Sequence, residues 1–134
     1  MKILPILQMS NTTNNEIKEK SKYDIHKRIY DFIIRVIKLV NTLSKNPSNL
    51  VIISQILRSV TSMGANDQEA DGTLTKKDFL HCYTIVRKES KETNFWLSLI
   101  SDTNPILKPR MEEVVKEGRE ITAIVSSIIN KTRA

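Results

Sequence analysis

Apolar residues return at alternating three- and four-residue steps in four successive stretches of the chain. Ile25, Ile29, Phe32, Val36, Leu39 and Leu43 mark the first, and Leu50, Ile53, Leu57, Val60 and Gly64 the second. Phe79, Tyr83, Val86, Ser90, Thr93, Leu97 and Ile100 mark the third, and Met111, Val114, Gly118, Ile121, Val125 and Ile128 the fourth. This spacing puts each set on one face of a helix. It predicts four helices, from about Asp24 to Leu43, Ser48 to Ala70, Thr75 to Ile100 and Pro109 to Lys131.

Punctuation between the stretches supports these boundaries. Asp24 is a cap or a favourable first-turn anion for the first helix. Pro47 blocks its continuation, and Ser48 is expected to cap the second. Gly72 suits a left-handed residue after a helix end. Thr75 stands three residues before Asp78 as an acidic capping box, with Leu74 and Phe79 at hydrophobic-staple positions. Pro109 fits the first turn of the fourth helix. With connections this short, consecutive helices are expected to run antiparallel, so the predicted fold is all-α, an up-down-up-down four-helix bundle over residues 23–134. Residues 1–22, apolar at the start and polar from Ser10 to Lys22, are expected to be a flexible leader.

Composition narrows the picture. The chain has 134 residues, one domain's worth, with 40% hydrophobic and 27% charged residues. Three glycines and four prolines are too few for a sandwich of many short strands. A lone cysteine, Cys82, excludes an intrachain disulfide and suits a reducing cytoplasm. No stretch approaches the roughly 20 apolar residues of a membrane span. Met1 to Met9 is too short for a signal peptide. A soluble, cytoplasmic protein without membrane attachment is expected.

The formal charge of +6 favours acidic partners such as nucleic acid. Arg28, Arg35 and Lys38 share one side of the first helix. Lys77, His81, Lys88 and Lys91 share one side of the third, with Lys76 and Arg87 added. Stripes of this kind are ordinarily solvated outer faces, but they also suit phosphate contacts, which carry little sequence information and weaken with salt. Asp24 with Arg28 and Asp31 with Arg35 can pair at four-residue spacing.

A second polar stripe runs through the apolar pattern. Arg58, Ser62, Asn66 and Glu69 line up on the second helix, and Glu89 and Glu92 on the third, between Ile85 and Trp96. The stripe is either a solvated face or a half-buried network in which Arg58 offsets the carboxylates. Metal binding and catalysis lack the necessary parts. A di-iron bundle needs paired Glu-x-x-His motifs, yet His26 and His81 are the only histidines, and Asp78-x-x-His81 is a single near match. Adjacent His81 and Cys82 point about 100° apart on a helix and form no nucleophile–base pair. There is no phosphate-cradling glycine loop and no nucleophile elbow. No enzymatic activity and no cofactor are expected.

Apolar residues spill beyond the four stripes at Ile33, Ile37, Val40, Ile52, Ile56, Ile124 and Ile129. Stripes this wide predict an apolar surface that closes against further copies, hence a homo-oligomer.

Particular residues carry a family resemblance. Tyr23-Asp24-Ile25, Phe32-Ile33-Ile34-Arg35-Val36, Gln55-Ile56-Leu57-Arg58-Ser59, Gly64-Ala65-Asn66, Glu69-Ala70, Lys76-Lys77-Asp78-Phe79, Lys88-Glu89, Glu92-Thr93 and Trp96-Leu97 occur in order over about residues 23–130. In these the chain resembles the four-helix-bundle proteins encoded in 23S ribosomal RNA intervening sequences, to which the accessory proteins of diversity-generating retroelements look related. The resemblance implies a ring-like homopentamer with a basic, nucleic-acid-facing surface and no established enzymatic activity. It also implies a structural or interface role for Arg58, Asn66, Glu69, Glu89 and Glu92. Two departures stand out: the leader is longer than the family's usual start, and Asp67-Gln68 replaces the aromatic and basic pair common in relatives.

Three functions follow, in descending order. The first is a non-enzymatic oligomer binding RNA or DNA through basic outer faces. The second is a scaffold for an acidic protein, or an accessory subunit of a nucleic-acid enzyme such as a reverse transcriptase. The last is a carboxylate–metal enzyme built on Glu69, Glu89 and Glu92.

Overall fold

The computed structural model describes residues 24–134, so the expected leader lies outside the described residues. It is all-α: helix α1 spans Ile25–Val40, α2 Pro47–Asp71, α3 Lys76–Thr103 and α4 Lys108–Arg133. No strand occurs among the described residues. Each of α2 and α4 packs on both α1 and α3, which places α1 and α3 at diagonal corners.

Cross-helix contacts fix how the elements face one another. Along α2 and α3, Ser59 meets Thr93 while Asp67 meets Tyr83, so numbering falls on one helix as it rises on the other. Along α3 and α4, Ser90 meets Thr122 and Asn94 meets Gly118, with the same sense.

Local chemistry explains the helix ends. The Asp24 carboxylate accepts from the Lys27 amide and caps α1. Asn46, not Ser48, caps α2: Pro47 takes the first helical position, which leaves the residue before it as the cap, and Asn46 Oδ1 accepts from Asn49 N at 2.8 Å. Thr75 Oγ1 accepts from Asp78 N at 3.1 Å, completing the cap of α3. Leu74 is 99% exposed and does not staple onto Phe79, whose ring stacks on Tyr83 instead. Gly72 ends α2 with right-handed geometry, φ −92°, because a short turn through Thr73 closes the helix without a left-handed residue.

The core is lined as expected on α1, α3 and α4. Ile29, Phe32, Val36, Tyr83, Val86, Leu97, Ile100, Met111, Ile121 and Val125 are buried. On α2 the buried face is rotated from the expected one. It runs Asn49, Ile52, Ile56, Ser59, Val60, Met63, Asp67 and Ala70, while Leu50 is half exposed. Polar Ser59 and Asp67 occupy core positions and hide the true phase from a reading of apolar spacing. Burial also corrects the argument from wide apolar stripes. Val40, Ile52, Ile56 and Ile129 belong to the bundle's own core, and Ile33 and Ile124 pack against it half-buried. The apolar side chains left in solvent are others, among them Tyr30, Val51, Phe95 and Ile106.

Candidate functional site

Arg58 is the hub of a polar clasp between α2 and α3. Its Nη1 donates to Glu89 Oε2 at 3.1 Å, its Nη2 donates to Glu92, and its Nε reaches Gln55 Oε1. Trp96 Nε1 donates to Glu92 Oε2 at 3.2 Å, fixing the carboxylate from its own helix one turn on. The Arg58 side chain is 51% exposed and that of Glu89 only 7%, so the clasp lies at the rim of the core with its carboxylate end inside. Of the five residues grouped by the sequence, the structure brings together Arg58, Glu89 and Glu92. Asn66 turns back to its own helix, bonding Ser62 O at 3.0 Å, and Glu69 is exposed. Spacing alone overextends the stripe, because it assigns residues to one face without supplying partners across it. Glu69 therefore does not converge with Glu89 and Glu92, and among the described residues no three His, Cys, Asp or Glu side chains gather into a metal-binding group.

A second polar centre lies deeper. Asp67 is 2% exposed. Both its oxygens accept from His26 Nδ1 at 2.9 Å, and Oδ1 also accepts from Tyr83 Oη at 2.7 Å. Three helices thus meet on one carboxylate, which offsets the cost of burying it. The hydrogen bond to Asp67 raises the His26 pKa above its ordinary value of 6.5, against the opposing effect of partial burial. Burial first, and the bond to Asp67 second, push the Tyr83 phenol up. This centre is invisible to local reading, since His26 and Asp67 are 41 residues apart. One signal exists: Met63, Asp67 and Ala70 continue the Ile52–Ile56–Ser59 face of α2 once that face is phased correctly. Beside it, a recess of about 260 Å³ opens between α1 and α2, lined by Tyr30, Ile33, Gly64 and Ala65 among others.

Small hydroxyls complete the interior polar layers. Ser59 Oγ and Thr93 Oγ1 lie 2.8 Å apart, and Ser90 Oγ and Thr122 Oγ1 2.9 Å apart. Asn94 Nδ2 donates to Thr122 Oγ1 at 2.9 Å and to Gly118 O at 3.2 Å.

The candidate cations are divided. Arg28 is engaged by α4: its Nε donates to Glu117 Oε2 at 3.1 Å and its Nη2 to Glu120 Oε2 at 2.8 Å. The bond to Glu117 is the main cause of its raised pKa. Asp24 instead caps the helix, and Asp31 pairs with Lys27, so neither expected α1 pair forms. Arg35 and Lys38 are exposed on α1. Lys76, Lys77, Lys88 and Lys91 are exposed on α3, where Arg87 is half-buried. None of these seven pairs with a carboxylate among the described residues. Because α1 and α3 are diagonal, the two sets form separate patches. His81 is exposed, while Cys82 is buried, which raises its thiol pKa. Among the described residues, no helix is long and apolar enough to cross a membrane.

The sequence profile of the 23S rRNA-intervening sequence protein family matches residues 21–127, which include all of α1, α2 and α3 and most of α4. The chain belongs to this family. A solved structure from Bacteroides thetaiotaomicron, described as a protein of unknown function from the S23 ribosomal protein family, is 33% identical. It superposes with a TM-score of 0.71, covering 78% of this chain and 97% of its own. No curated protein matches the chain. For this family member, the Arg58 clasp and the Asp67 centre are therefore features of the family-matched segment.

Proposed function

We propose that this family member is a non-enzymatic, homo-oligomeric, antiparallel up-down-up-down bundle that acts in the cytoplasm and holds RNA or DNA phosphates on its basic outer faces. The observation that carries the reading is the exposed α3 row of Lys77, Lys88 and Lys91, which meets no carboxylate among the described residues. Free ammonium groups in a row suit a phosphate backbone, and they release counterions on binding. The falling cross-helix numbering supports the antiparallel arrangement, and the exposed side chains Tyr30 and Phe95 support assembly into a homo-oligomer, a pentamer by the family resemblance. A ring of copies would repeat the lysine row around its circumference and multiply weak contacts.

A second reading has an observation of its own. Phe95 is exposed one turn beyond Lys91 and packs edge-on against Trp96, which places an apolar anchor in a basic surface. This suits an accessory subunit or scaffold that docks on an acidic protein, such as a reverse transcriptase.

Titrating a labelled structured RNA at several salt concentrations tests the first reading. Affinity should fall steeply with salt and fall again when Lys77, Lys88 and Lys91 are changed together to Glu. No binding at low salt would remove it, and a pull-down that survives nuclease would favour the second. The mass of the native particle tests the assembly.

A further inference from the structure

α1 is the shortest of the four helices among the described residues, and its N-terminal half is held by two electrostatic clasps: His26 to α2, and Arg28 to α4. Arg28 keeps its charge at all physiological pH values. His26 does not. We propose that His26, Asp67 and Tyr83 form a proton-dependent latch, in which protonated His26 holds the start of α1 against α2 and loss of that proton loosens it.

The geometry supplies the asymmetry a latch needs. The acceptor is buried, with its side chain 3% exposed, while the His26 side chain is 50% exposed and open to proton exchange with solvent. Charged groups around the imidazole come from each neighbouring segment: Asp24 before α1, Asp67 and Asp71 on α2, with the neutral phenol of Tyr83 on α3 completing the site. All three carboxylates favour the protonated ring. Neutral His26 still has one N–H to donate, but the buried charge of Asp67 then keeps only hydrogen bonds and loses its counter-ion, which is costly in a poorly solvated site. The recess between α1 and α2 borders the latch, so loosening α1 would widen an apolar cleft at Ile33 and Gly64.

The sign follows from linkage. The folded-state pKa of His26 lies above 6.5, so the latch is at full strength below pH 6.5 and fades as pH rises through the raised value. Each unit of elevation corresponds to about a tenfold change in the opening equilibrium.

The test combines two NMR measurements on the full chain. His26 resonances, assigned by their loss in His26→Gln, should titrate above 6.5 and return towards that value in Asp67→Asn. Amide protection factors in the first two turns of α1 should drop as pH rises from 6 to 8, while those in the centre of α3 stay level, and His26→Gln should flatten the drop. His26 is half exposed, so His26→Gln is expected to fold even if Asp67→Asn does not. A His26 midpoint at or below 6.5, or an α1 pH dependence that persists in His26→Gln, would overturn the latch.

Discussion

Arg58 on α2 and Glu89 on α3 are joined at 3.1 Å with the arginine half in solvent and the carboxylate almost fully enclosed. The pair is therefore unequal. Removing the arginine strands a buried anion, whereas removing the carboxylate leaves a cation that water can reach.

Arg58→Ala should destabilise the bundle by about 1–3 kcal/mol, between the values of exposed and fully buried pairs. Arg58→Lys should recover only part of this, because an ammonium cannot span Glu89 and Glu92 as the planar fork does. Denaturant melts of the variants measure both. Equal stability of wild type and Arg58→Ala would mean that Glu89 is adequately solvated without its partner.

The two helix-interior glycines should respond oppositely to alanine. At Gly118 a new Cβ would run into Asn94 Oδ1 and lie 3.1 Å from Phe32 Cζ. Asn94 is tethered to Thr122 and Phe32 is buried, so neither yields easily. Gly118→Ala should cost about 1–3 kcal/mol despite the better helix propensity. At Gly64 the Cβ meets only the flexible tip of Ile33 at 2.5 Å. A rotamer change relieves that contact, so Gly64→Ala should be neutral or gain up to about 1 kcal/mol. Thermal midpoints read out both.

Tyr83 should ionise only above the ordinary tyrosine range. Burial and its bond to Asp67 raise its folded-state pKa above the ordinary value of 10, so the native state loses this contribution as pH climbs beyond about 10. Ultraviolet titration of wild type against Tyr83→Phe should show the Tyr83 component appearing together with unfolding. A Tyr83 signal that titrates near 10 in the folded protein would contradict the buried bond. Tyr83→Phe itself should cost about 1.5–3 kcal/mol, the range for a hydrogen bond to a charged group.

Particular residues show how far local sequence reaches. Thr75 announces the start of α3 because a cap acts across three residues, and Pro109 announces α4 for the same local reason. Arg58 with Glu89 and Glu92 is legible because an arginine and two carboxylates on stripes that border apolar faces have few other ways to be buried. Arg28 misleads: four-residue spacing offers Asp24, but the structure supplies Glu117 and Glu120 from α4. The α2 stripe also misleads, since Ser59 and Asp67 are polar by type and interior by position.

The amino-acid pattern was enough to place the four helices of the described residues, to set their ends within three residues and to point to the family, because periodicity, caps and breakers act within a turn or two of chain. Tertiary structure alone decided which face of α2 turns inward, that Asp67 is shared by His26 and Tyr83, and that the lysines of α3 stand on the opposite corner from Arg35 and Lys38. A polar group can enter a core only where partners from distant segments satisfy it, and that pairing exists only once the helices have packed.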